Sequence, residues 1–242
     1  MEKTLCLDFG NTRLKAAVFS GRDFVEERVL PDASPATMLQ LIQQYHPSKS
    51  ILSSVIRHPA EIEALLKEHT RFHSLGYTSR LTFSTPVGKP ESIGADRLAM
   101  CAAAVDMFSD QHNLAIGLGS CITYNFISNR HEFLGGGISP GMTMRFRSMN
   151  EYTALLPMIE PEHHFPLVGY DTKTNLLSGV ILGMSKEIDG IIDAYALKYS
   201  NFNVLLTGGD MPFFVPHLKN RIFADPNLIY KGLYAISEYN NR

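Results

Sequence analysis

Residues 5–19 read LCLDFGNTRLKAAVF, and this stretch carries the strongest indication of the fold. An apolar run ends at an acidic residue, Asp8, and a Gly-Asn-Thr turn leads into a second apolar run. Apolar runs separated by a glycine turn predict two strands joined by a tight connection. Asp8 is then expected at a strand end, where the backbone supports its side chain rigidly.

The turn itself carries the chemistry of a phosphate site. Gly10 lets a ligand approach the backbone closely because it has no side chain. Asn11 and Thr12 supply amide and hydroxyl donors, and Lys15 supplies a mobile cation. Together with the acid Asp8, these groups provide what a Mg²⁺-nucleotide needs. An ordinary hairpin with an asparagine turn is the structural alternative.

The composition describes a globular chain with no charge preference for nucleic acid or membranes. The 242 residues are 45% apolar and 19% charged, with a net charge of −2. This length accommodates one large domain or two moderate ones with a substantial core. Because the charge is nearly balanced, we expect neither nucleic acid nor a membrane surface as a partner.

The cysteines and the N-terminal residues indicate the compartment. Cys6, Cys101 and Cys121 are far apart, lie in apolar surroundings and form no CxxC pair, which predicts buried free thiols in a reducing environment. Residues 1–10 lack the hydrophobic stretch of a secretory signal, and no apolar run approaches the ~18 residues of a membrane-spanning helix. We therefore expect a cytoplasmic protein.

A second segment repeats the pattern of the first. Residues 5–19 can be laid on residues 114–128 with an offset of 109. This alignment places Gly10, Asn11 and Thr12 on Gly119, Ser120 and Cys121. Such a duplication predicts two related halves, 1–112 and 113–242, each opening with a phosphate-facing hairpin. Because few residues are identical, chance similarity between two hairpins is the alternative.

The rest of the chain alternates between helical and extended patterns. Helices are predicted over 34–46, from 59 onward, and over 93–108, 175–199 and 226–239. A strand is predicted over 50–56, a glycine-rich turn over 133–141, and a strand followed by a glycine turn over 202–210. This alternation indicates an α/β fold. Without a Pro- or Ser-rich linker, the halves are expected to pack closely around a shared cleft.

Four short segments are expected to converge on that cleft, namely 8–15, 94–97, 117–123 and 207–210. The second of them reads Gly-Ala-Asp-Arg. A carboxylate such as Asp96 at a helix start can accept a proton from a substrate hydroxyl in phosphoryl transfer, and Arg97 can grip a carboxylate or phosphate. The alternative is a first-turn aspartate that stabilises the helix dipole.

Several common catalytic motifs are absent from the sequence. No GxxxxGK[ST] is present, which excludes a P-loop enzyme. Gly117 and Gly119 begin like a dinucleotide fingerprint, but Ile122 stands at the third glycine position. His163 and His164 are capable of binding a metal, although a solvent-exposed pair in a loop is the simpler interpretation.

Six landmarks in this order resemble the type III pantothenate kinases, which include the Bvg accessory factor-like proteins. The landmarks are DFGNTRLK at 8–15, GADR at 94–97, GLGSCITYN at 117–125, GGGISPG at 135–141, DTKTNLLSG at 171–179 and LLTGGD at 205–210. The resemblance spans nearly the whole chain. It implies a member of the acetate kinase, sugar kinase, Hsp70 and actin superfamily, with two ribonuclease H-like halves and a central nucleotide cleft.

The resemblance also implies an activity and a set of roles. The family transfers the γ-phosphoryl group of ATP to the primary hydroxyl of pantothenate, the first step of coenzyme A synthesis. Asp96 is then the general base, and Asp8 acts on Mg-ATP, directly or through water. The implied ATP contacts are Asp8, Gly10, Asn11, Thr12, Lys15, Gly119 and Ser120. The implied pantothenate contacts are Gly94, Ala95, Arg97 and Thr172. Homodimers and a monovalent cation, K⁺ or NH₄⁺, are typical of the family.

Three positions depart from the family pattern. Gly117 stands where a carboxylate of the family helps to bind the monovalent cation. Asn125 is neutral where an acidic residue often follows, and Val87 replaces a tyrosine of the pantothenate pocket. Because glycine offers no side-chain ligand, we expect weaker cation binding and an altered field on the phosphates.

The sequence therefore predicts an ATP- and Mg²⁺-dependent pantothenate kinase whose activity is reduced or whose cation requirement is altered. Two alternatives stay open. One is a regulatory protein on the kinase scaffold that binds nucleotide or pantothenate without turnover. The other is a kinase for a different small hydroxyl substrate, which the change at Val87 suggests.

Overall fold

The computed structural model describes residues 2–241, which form two compact units. The first unit contains the described residues of Met1–Ser109, Ile127–Leu134 and Asn227–Arg242, and the second contains Asp110–Phe126 and Gly135–Pro226. The sequence predicted two halves, 1–112 and 113–242. The two compact units divide the chain differently, because it returns to the first unit at Ile127–Leu134 and again from Asn227.

Ten strands and eight α-helices make up the described chain. The elements before residue 110 are β1 (Lys3–Phe9), β2 (Leu14–Ser20), β3 (Asp23–Leu30), α1 (Pro35–Tyr45), β4 (Lys49–Ser54), α2 (Ala60–His69), β5 (Arg71–Ser74) and α3 (Ala95–Met107). The later elements are β6 (His112–Leu118), β7 (Cys121–Ile127), β8 (Phe133–Pro140), α4 (Met142–Glu151), α5 (Thr172–Leu177), α6 (Gly183–Lys198), β9 (Phe202–Thr207), α7 (Met211–Phe214), β10 (Phe223–Ala224) and α8 (Leu228–Asn240). A π-helical turn, Ser178–Leu182, joins α5 to α6.

Two five-stranded sheets have the same strand order. One reads β3-β2-β1-β4-β5 and the other β8-β7-β6-β9-β10. In the first sheet β1 pairs antiparallel with β2 and parallel with β4. In the second sheet β6 pairs parallel with β9, and β9 parallel with β10. The repeated order supports the internal duplication that the sequence predicted.

The two hairpins differ in the length of their turns. β1 and β6 begin at Lys3 and His112 and therefore keep the offset of 109. β2 and β7 begin at Leu14 and Cys121, so the second hairpin has lost two residues from its turn. The alignment of the two segments holds along the first strands, whereas the second strands are two residues out of phase.

The two faces of the first sheet have different roles. Leu5, Leu7 and Phe9 point to one face and belong to a buried cluster with residues of α1 and α2. Because side chains alternate along a strand, Asp8 points to the other face. On that face α8 packs over the sheet, and the ring of Tyr234 stacks on Phe19 with 4.8 Å between the centroids.

The predicted helices and strands are confirmed at nearly all positions. The helix over 34–46 is α1, whose N-terminus is capped by the Ser34 hydroxyl and whose Pro35 lies in the first turn. The helix over 93–108 is α3, and the helix over 226–239 is α8. The strand over 50–56 is β4, and the strand that ends in a glycine turn is β9.

The prediction of a glycine-rich turn over 133–141 is wrong, because this segment is the strand β8. Gly135 and Gly136 have φ angles of 99° and 154°. A Cβ atom on Gly136 would lie 1.9 Å from the carbonyl oxygen of Tyr124. Gly136 therefore serves close backbone packing within the sheet rather than a change of direction.

Candidate active site

The first phosphate hairpin is closed by its own backbone. The amide of Gly10 donates to the carbonyl of Arg13 over 3.1 Å, which folds the four residues 10–13 into a tight turn. Asn11 and Thr12 lie at its exposed tip, where a ligand can reach them. In the register of the two strands, Lys15 lies directly opposite Asp8. The acid, the donors and the cation predicted from the sequence are thus together at one end of the hairpin.

Asp8 is a largely buried acid with an elevated pKa. Burial, and next the negative charge of Asp96, raise the pKa of Asp8 to about 6. The hydroxyl of Ser53 on β4 donates to the Asp8 carboxyl over 3.3 Å, and this bond and the charge of Lys15 lower the pKa in part. An acid in this setting changes its charge state readily when a cation arrives.

Asp96 lies in the first turn of α3, with its carboxylate folded back over the helix start. Burial raises its pKa, whereas the backbone amide and the charge of Arg97 oppose the rise. A Cβ atom on Gly94 would lie 2.6 Å from Oδ1 of Asp96. Glycine at position 94 therefore leaves the space that the carboxylate occupies. The helix-dipole interpretation and the catalytic one are both compatible with this geometry.

The other two residues of the GADR segment are part of the packing of the first unit. Ala95 is buried, with 8% of its surface exposed. The guanidinium of Arg97 lies 5.5 Å from the ring centroid of Phe133, a cation–π arrangement that restricts the side chain. Val87 is half-buried in the segment that precedes α3.

In the second unit, three glycine loops meet at one end of the sheet. The amide of Gly119 donates to the carbonyl of Cys121 over 3.1 Å, as Gly10 does in the first hairpin. A Cβ atom on Gly141 would lie 2.1 Å from the Gly119 oxygen, and one on Gly208 would lie 2.1 Å from the Leu118 oxygen. The sequence expected the loops at 117–123 and 207–210 to converge, and within this unit they do.

Gly117, which stands where the family pattern has a carboxylate, lies next to the buried hydroxyl of Thr207. Gly117 on β6 lies opposite Thr207 on β9. Thr207 is 1% exposed, and its Oγ1 has no hydrogen-bond partner within residues 2–241. Asn125 is fully buried, and its amide donates to the carbonyl of Ala115 over 3.1 Å. Asn125 therefore supports the sheet backbone.

An ion pair braces the loop before α4. Arg145 binds the carboxylate of Glu187, and its Nε donates to the carbonyl of Pro140 over 2.9 Å. The hydroxyl of Tyr124 donates to the same carboxylate over 3.1 Å. These contacts connect β7, α4 and α6 beside the loop that presses on the second hairpin. Sequence patterns did not single them out, because their members are 42 or more residues from Glu187.

Thr172, the remaining predicted substrate contact, begins α5 in the second unit. Asp171 caps this helix by accepting from the amide of Thr174 over 2.7 Å. Thr172 itself is exposed. The structure of the unit leaves its hydroxyl at the surface.

The profile described as type III pantothenate kinase matches residues 4–194. A type III pantothenate kinase from Christiangramia forsetii is 37% identical over 238 residues, which cover 98% of each chain. The chain belongs to the type III pantothenate kinase family. Membership predicted from the landmarks is thus confirmed.

Solved structures share the fold of this family member. A Campylobacter jejuni protein of the Baf family superposes with a TM-score of 0.63 at 22% identity, with 98% of each chain covered. A glucokinase from an Antarctic psychrotroph superposes with a TM-score of 0.53 at 12% identity, with 99% of each chain covered. These likenesses confirm the predicted α/β fold of two ribonuclease H-like halves.

Within residues 2–241, no helix has the length and apolarity to cross a bilayer. No group of three or more His, Cys, Asp or Glu side chains in this range is arranged to hold a metal ion. All three cysteines are free thiols, and Cys6 and Cys101 are buried.

Proposed function

We propose that this protein is a pantothenate kinase. It transfers the γ-phosphoryl group of ATP to the primary hydroxyl of pantothenate and forms 4′-phosphopantothenate, the first step of coenzyme A biosynthesis. The observation that carries this proposal is that the chain belongs to the type III pantothenate kinase family and keeps both Asp8 and Asp96, with the charge of Asp96 raising the pKa of Asp8. Phosphoryl transfer to an alcohol uses one acidic group for the Mg²⁺-nucleotide and another for the hydroxyl proton.

The two carboxylates have separate roles in this proposal. Asp96 accepts the proton of the pantothenate hydroxyl, and its raised pKa brings it closer to working pH, where a base is most effective. Asp8 contacts Mg-ATP, directly or through water. Mg²⁺ takes oxygen ligands, keeps several waters and binds through one or two carboxylates and the phosphates. The carboxylate of Asp8 fits that donor set.

The remaining predicted contacts follow from the two hairpins and from α3. The ATP phosphates are held by Gly10, Asn11, Thr12 and Lys15 of the first hairpin and by Gly119 and Ser120 of the second. Pantothenate is held by Gly94, Ala95, Arg97 and Thr172. The exposed turn tip and the close backbone packing at Gly119 support the phosphate assignments.

The test is a direct assay with a binding control. Purified protein with ATP, Mg²⁺ and pantothenate, with and without K⁺, is expected to form 4′-phosphopantothenate. Asp96→Asn is expected to lose turnover while it still binds nucleotide in a calorimeter. Absence of product under every condition, beside an active control kinase, would contradict the proposal.

We also propose that the monovalent cation, K⁺ or NH₄⁺, is bound weakly. Gly117 supplies no ligand, and the hydroxyl of Thr207 beside it is a single neutral oxygen. Gly117→Asp places a carboxylate at this position. The variant is expected to gain activity and to respond to K⁺ at lower concentration than the unaltered protein; an unchanged K⁺ response would overturn this assignment.

We also propose that the protein is a homodimer in the cytoplasm. Residues 152–170 contain five large apolar side chains that are each at least 74% exposed, namely Tyr152, Leu155, Leu167, Val168 and Tyr170. So much exposed apolar surface in one segment indicates a protein contact. Free thiols and an ATP substrate fit a reducing, ATP-rich compartment.

One observation favours a second candidate function. Gly117 stands where the family pattern has a carboxylate for the monovalent cation, and together with Asn125 and Val87 it fits a protein that binds pantothenate or nucleotide without turnover. In that case both ligands give binding heats, no product forms, and Asp96→Asn leaves cellular coenzyme A unchanged. If pantothenate fails as a substrate while other small alcohols are phosphorylated, the protein is a kinase of different specificity. The valine at position 87, where the family pattern has a tyrosine, is the residue change that suggests this outcome.

A further inference from the structure

The lysine of the first hairpin, Lys15, forms an ion pair with an acidic side chain, Glu27. Nζ of Lys15 lies 2.9 Å from Oε1 of Glu27, and the two side chains are 24% and 29% exposed. Glu27 lies on β3 opposite Ala17, while Lys15 lies opposite Val29. The ion pair is therefore diagonal on one face of neighbouring strands, a spacing that long side chains can bridge.

A buried phenol lies next to the acid. Tyr230 of α8 is 3% exposed, and its hydroxyl lies beside the carboxylate of Glu27. Burial, followed by the charges of Glu27 and Asp8, raises the pKa of Tyr230 well above its usual range. The phenol accordingly keeps its proton and stays neutral beside the carboxylate. Its ring lies against Phe24, with 6.4 Å between the centroids, which restricts its position.

The ammonium of Lys15 is the group that links Tyr230 and Glu27 to the phosphate hairpin. Lysine is a compact charge on a flexible stem that carries about 2 kcal/mol of rotamer entropy. A lysine that is already held in place loses less of this freedom when a ligand binds. Lys15 is opposite Asp8 in the strand register, so the position of its ammonium is set beside the acid of the site.

We propose that Glu27 and Tyr230 are positioning residues for ATP binding, which hold the ammonium of Lys15 where the phosphates of ATP arrive. This inference rests on the proposed function, because it takes the first hairpin as the phosphate site. Tyr230 orients Glu27, Glu27 orients Lys15, and Lys15 alone contacts the nucleotide. A carboxylate that instead competed with phosphate for the charge of the lysine would have the opposite effect, which is tighter nucleotide binding after Glu27→Gln.

A double-mutant cycle separates these effects. Glu27→Gln and Tyr230→Phe keep the shapes of the side chains, and each is made alone and together with Lys15→Ala. The readout is the dissociation constant of a non-hydrolysable Mg-ATP analogue, measured by calorimetry. Each single variant is expected to bind about three- to tenfold more weakly, the loss from one side chain that must be immobilised on binding. In the Lys15→Ala background both effects are expected to vanish.

Kinetics and a matched control complete the test. The KM for ATP is expected to rise in Glu27→Gln and Tyr230→Phe while the KM for pantothenate stays constant. Tyr234→Phe, whose ring stacks on Phe19 of the same sheet, is the control and is expected to leave nucleotide binding unchanged. Equal losses with and without Lys15, or tighter binding in Glu27→Gln, would overturn the inference.

The proposed function and this inference fail in different ways. If the unaltered protein binds the analogue but forms no 4′-phosphopantothenate, the kinase proposal fails and the calorimetric cycle still decides the inference. If the protein turns over and the cycle shows no coupling through Lys15, only the inference fails. If no nucleotide binds at all, both are wrong.

Discussion

Gly94 is a residue whose identity is explained by its neighbour's carboxylate. The helix α3 begins at Ala95, and Asp96 turns its side chain back over the start of the helix. The space above Gly94 is filled by Oδ1 of Asp96, so no larger residue fits without moving the proposed base.

Gly94→Ala is therefore expected to lower kcat strongly and to change the stability of the protein only a little. The added methyl group would lie 2.6 Å from the carboxylate oxygen and displace it, and a misplaced catalytic group costs on the order of 10²-fold in rate. Gly76→Ala is the matched control, because nothing lies within 4 Å of its added carbon. Steady-state kinetics and thermal melts of both variants check this. Equal kcat values in the two variants would contradict the assignment of Asp96.

Asp8 gives a pH-dependent stability prediction. Its native pKa of about 6 lies above the 3.8 of an unperturbed aspartate, so the native state holds this proton more tightly than the unfolded state. Its stabilising contribution is present at low pH and is lost as the pH rises through 6. Asp8→Asn, which stays neutral, is expected to stabilise the nucleotide-free protein by about 2–3 kcal/mol at pH 8 and by little near pH 4.

The control for this prediction is Asp32, whose pKa is shifted in the opposite direction from that of Asp8. Asp32 accepts hydrogen bonds from Ser34 and Thr37, which lower the pKa of its carboxyl. Its contribution is present above its unfolded pKa and is lost in acid. Asp32→Asn is thus expected to destabilise at pH 8, as measured by urea unfolding at both pH values. If both variants shifted stability in the same direction, burial would not explain the pKa of Asp8.

At the same residue scale, the sequence singled out some members of the proposed site and missed others. Asp8 and Asp96 were singled out because each belongs to a short local motif. Glu27 and Tyr230 were missed because they come together only after α8 has packed on a face of the sheet that contains β3. Glu27 lies in a charged, exposed-looking strand, DFVEERVL, that carries no motif.

Among the elements of the first unit, α3 and α8 approach each other closely. A Cβ atom on Gly232 would lie 1.8 Å from the carbonyl oxygen of Ala99. α3 carries several small buried residues, among them Ala99, Ala102 and Ala103. Two helices with small facing residues approach each other closely, which fixes the height of α8 over the sheet.

Gly232→Ala is expected to push α8 away and to destabilise the protein by about 1–3 kcal/mol, the usual cost of overpacking. Because α8 carries Tyr230, nucleotide affinity is expected to fall as well. Gly190→Ala in the exposed face of α6 is the control, with nothing within 4 Å of its added carbon, and it is expected to gain about 0.5–1 kcal/mol from helix propensity. Denaturant melts and calorimetry measure both. A neutral Gly232→Ala would contradict the tight crossing.

The element β8 shows the limit of local signals. Its glycines resembled a turn in the sequence, yet they belong to a strand, and at Gly136 the backbone of β7 comes too close for a side chain. Close approach of this kind depends on which strands are neighbours, and that is a property of the sheet. Elements with strong periodicity, such as α1 and α3, were predicted because their own residues decide them.

For the whole molecule, the fold class was predictable because the sequence repeats a strand–glycine turn–strand pattern and alternates helical with extended segments. The sheets β3-β2-β1-β4-β5 and β8-β7-β6-β9-β10 correspond strand by strand. The membership of the units was not predictable, because the return of α8 to the first unit has no signal in composition or linker.

The proposed homodimer gives a prediction at this scale. Leu155→Glu combined with Val168→Glu places charges on side chains that are 91% and 79% exposed and is expected to yield monomers, because burying unpaired charges opposes association. Leu197→Glu changes a leucine that is 92% exposed on α6 and is the control. Sedimentation velocity measures the mass of each. A stable dimer in the double variant would assign the interface to another surface.

The placement of α8 also bears on the order in which the chain acquires structure during synthesis. Most of the first unit lies within residues 1–109, but the helix that covers its sheet and contacts Ala99 begins only at Leu228, after the second unit. Until α8 has been synthesised, the face of α3 that carries Ala99 lacks this contact. The unit whose translation begins first is therefore completed after the second, and a nascent chain is expected to need chaperone protection until α8 has emerged.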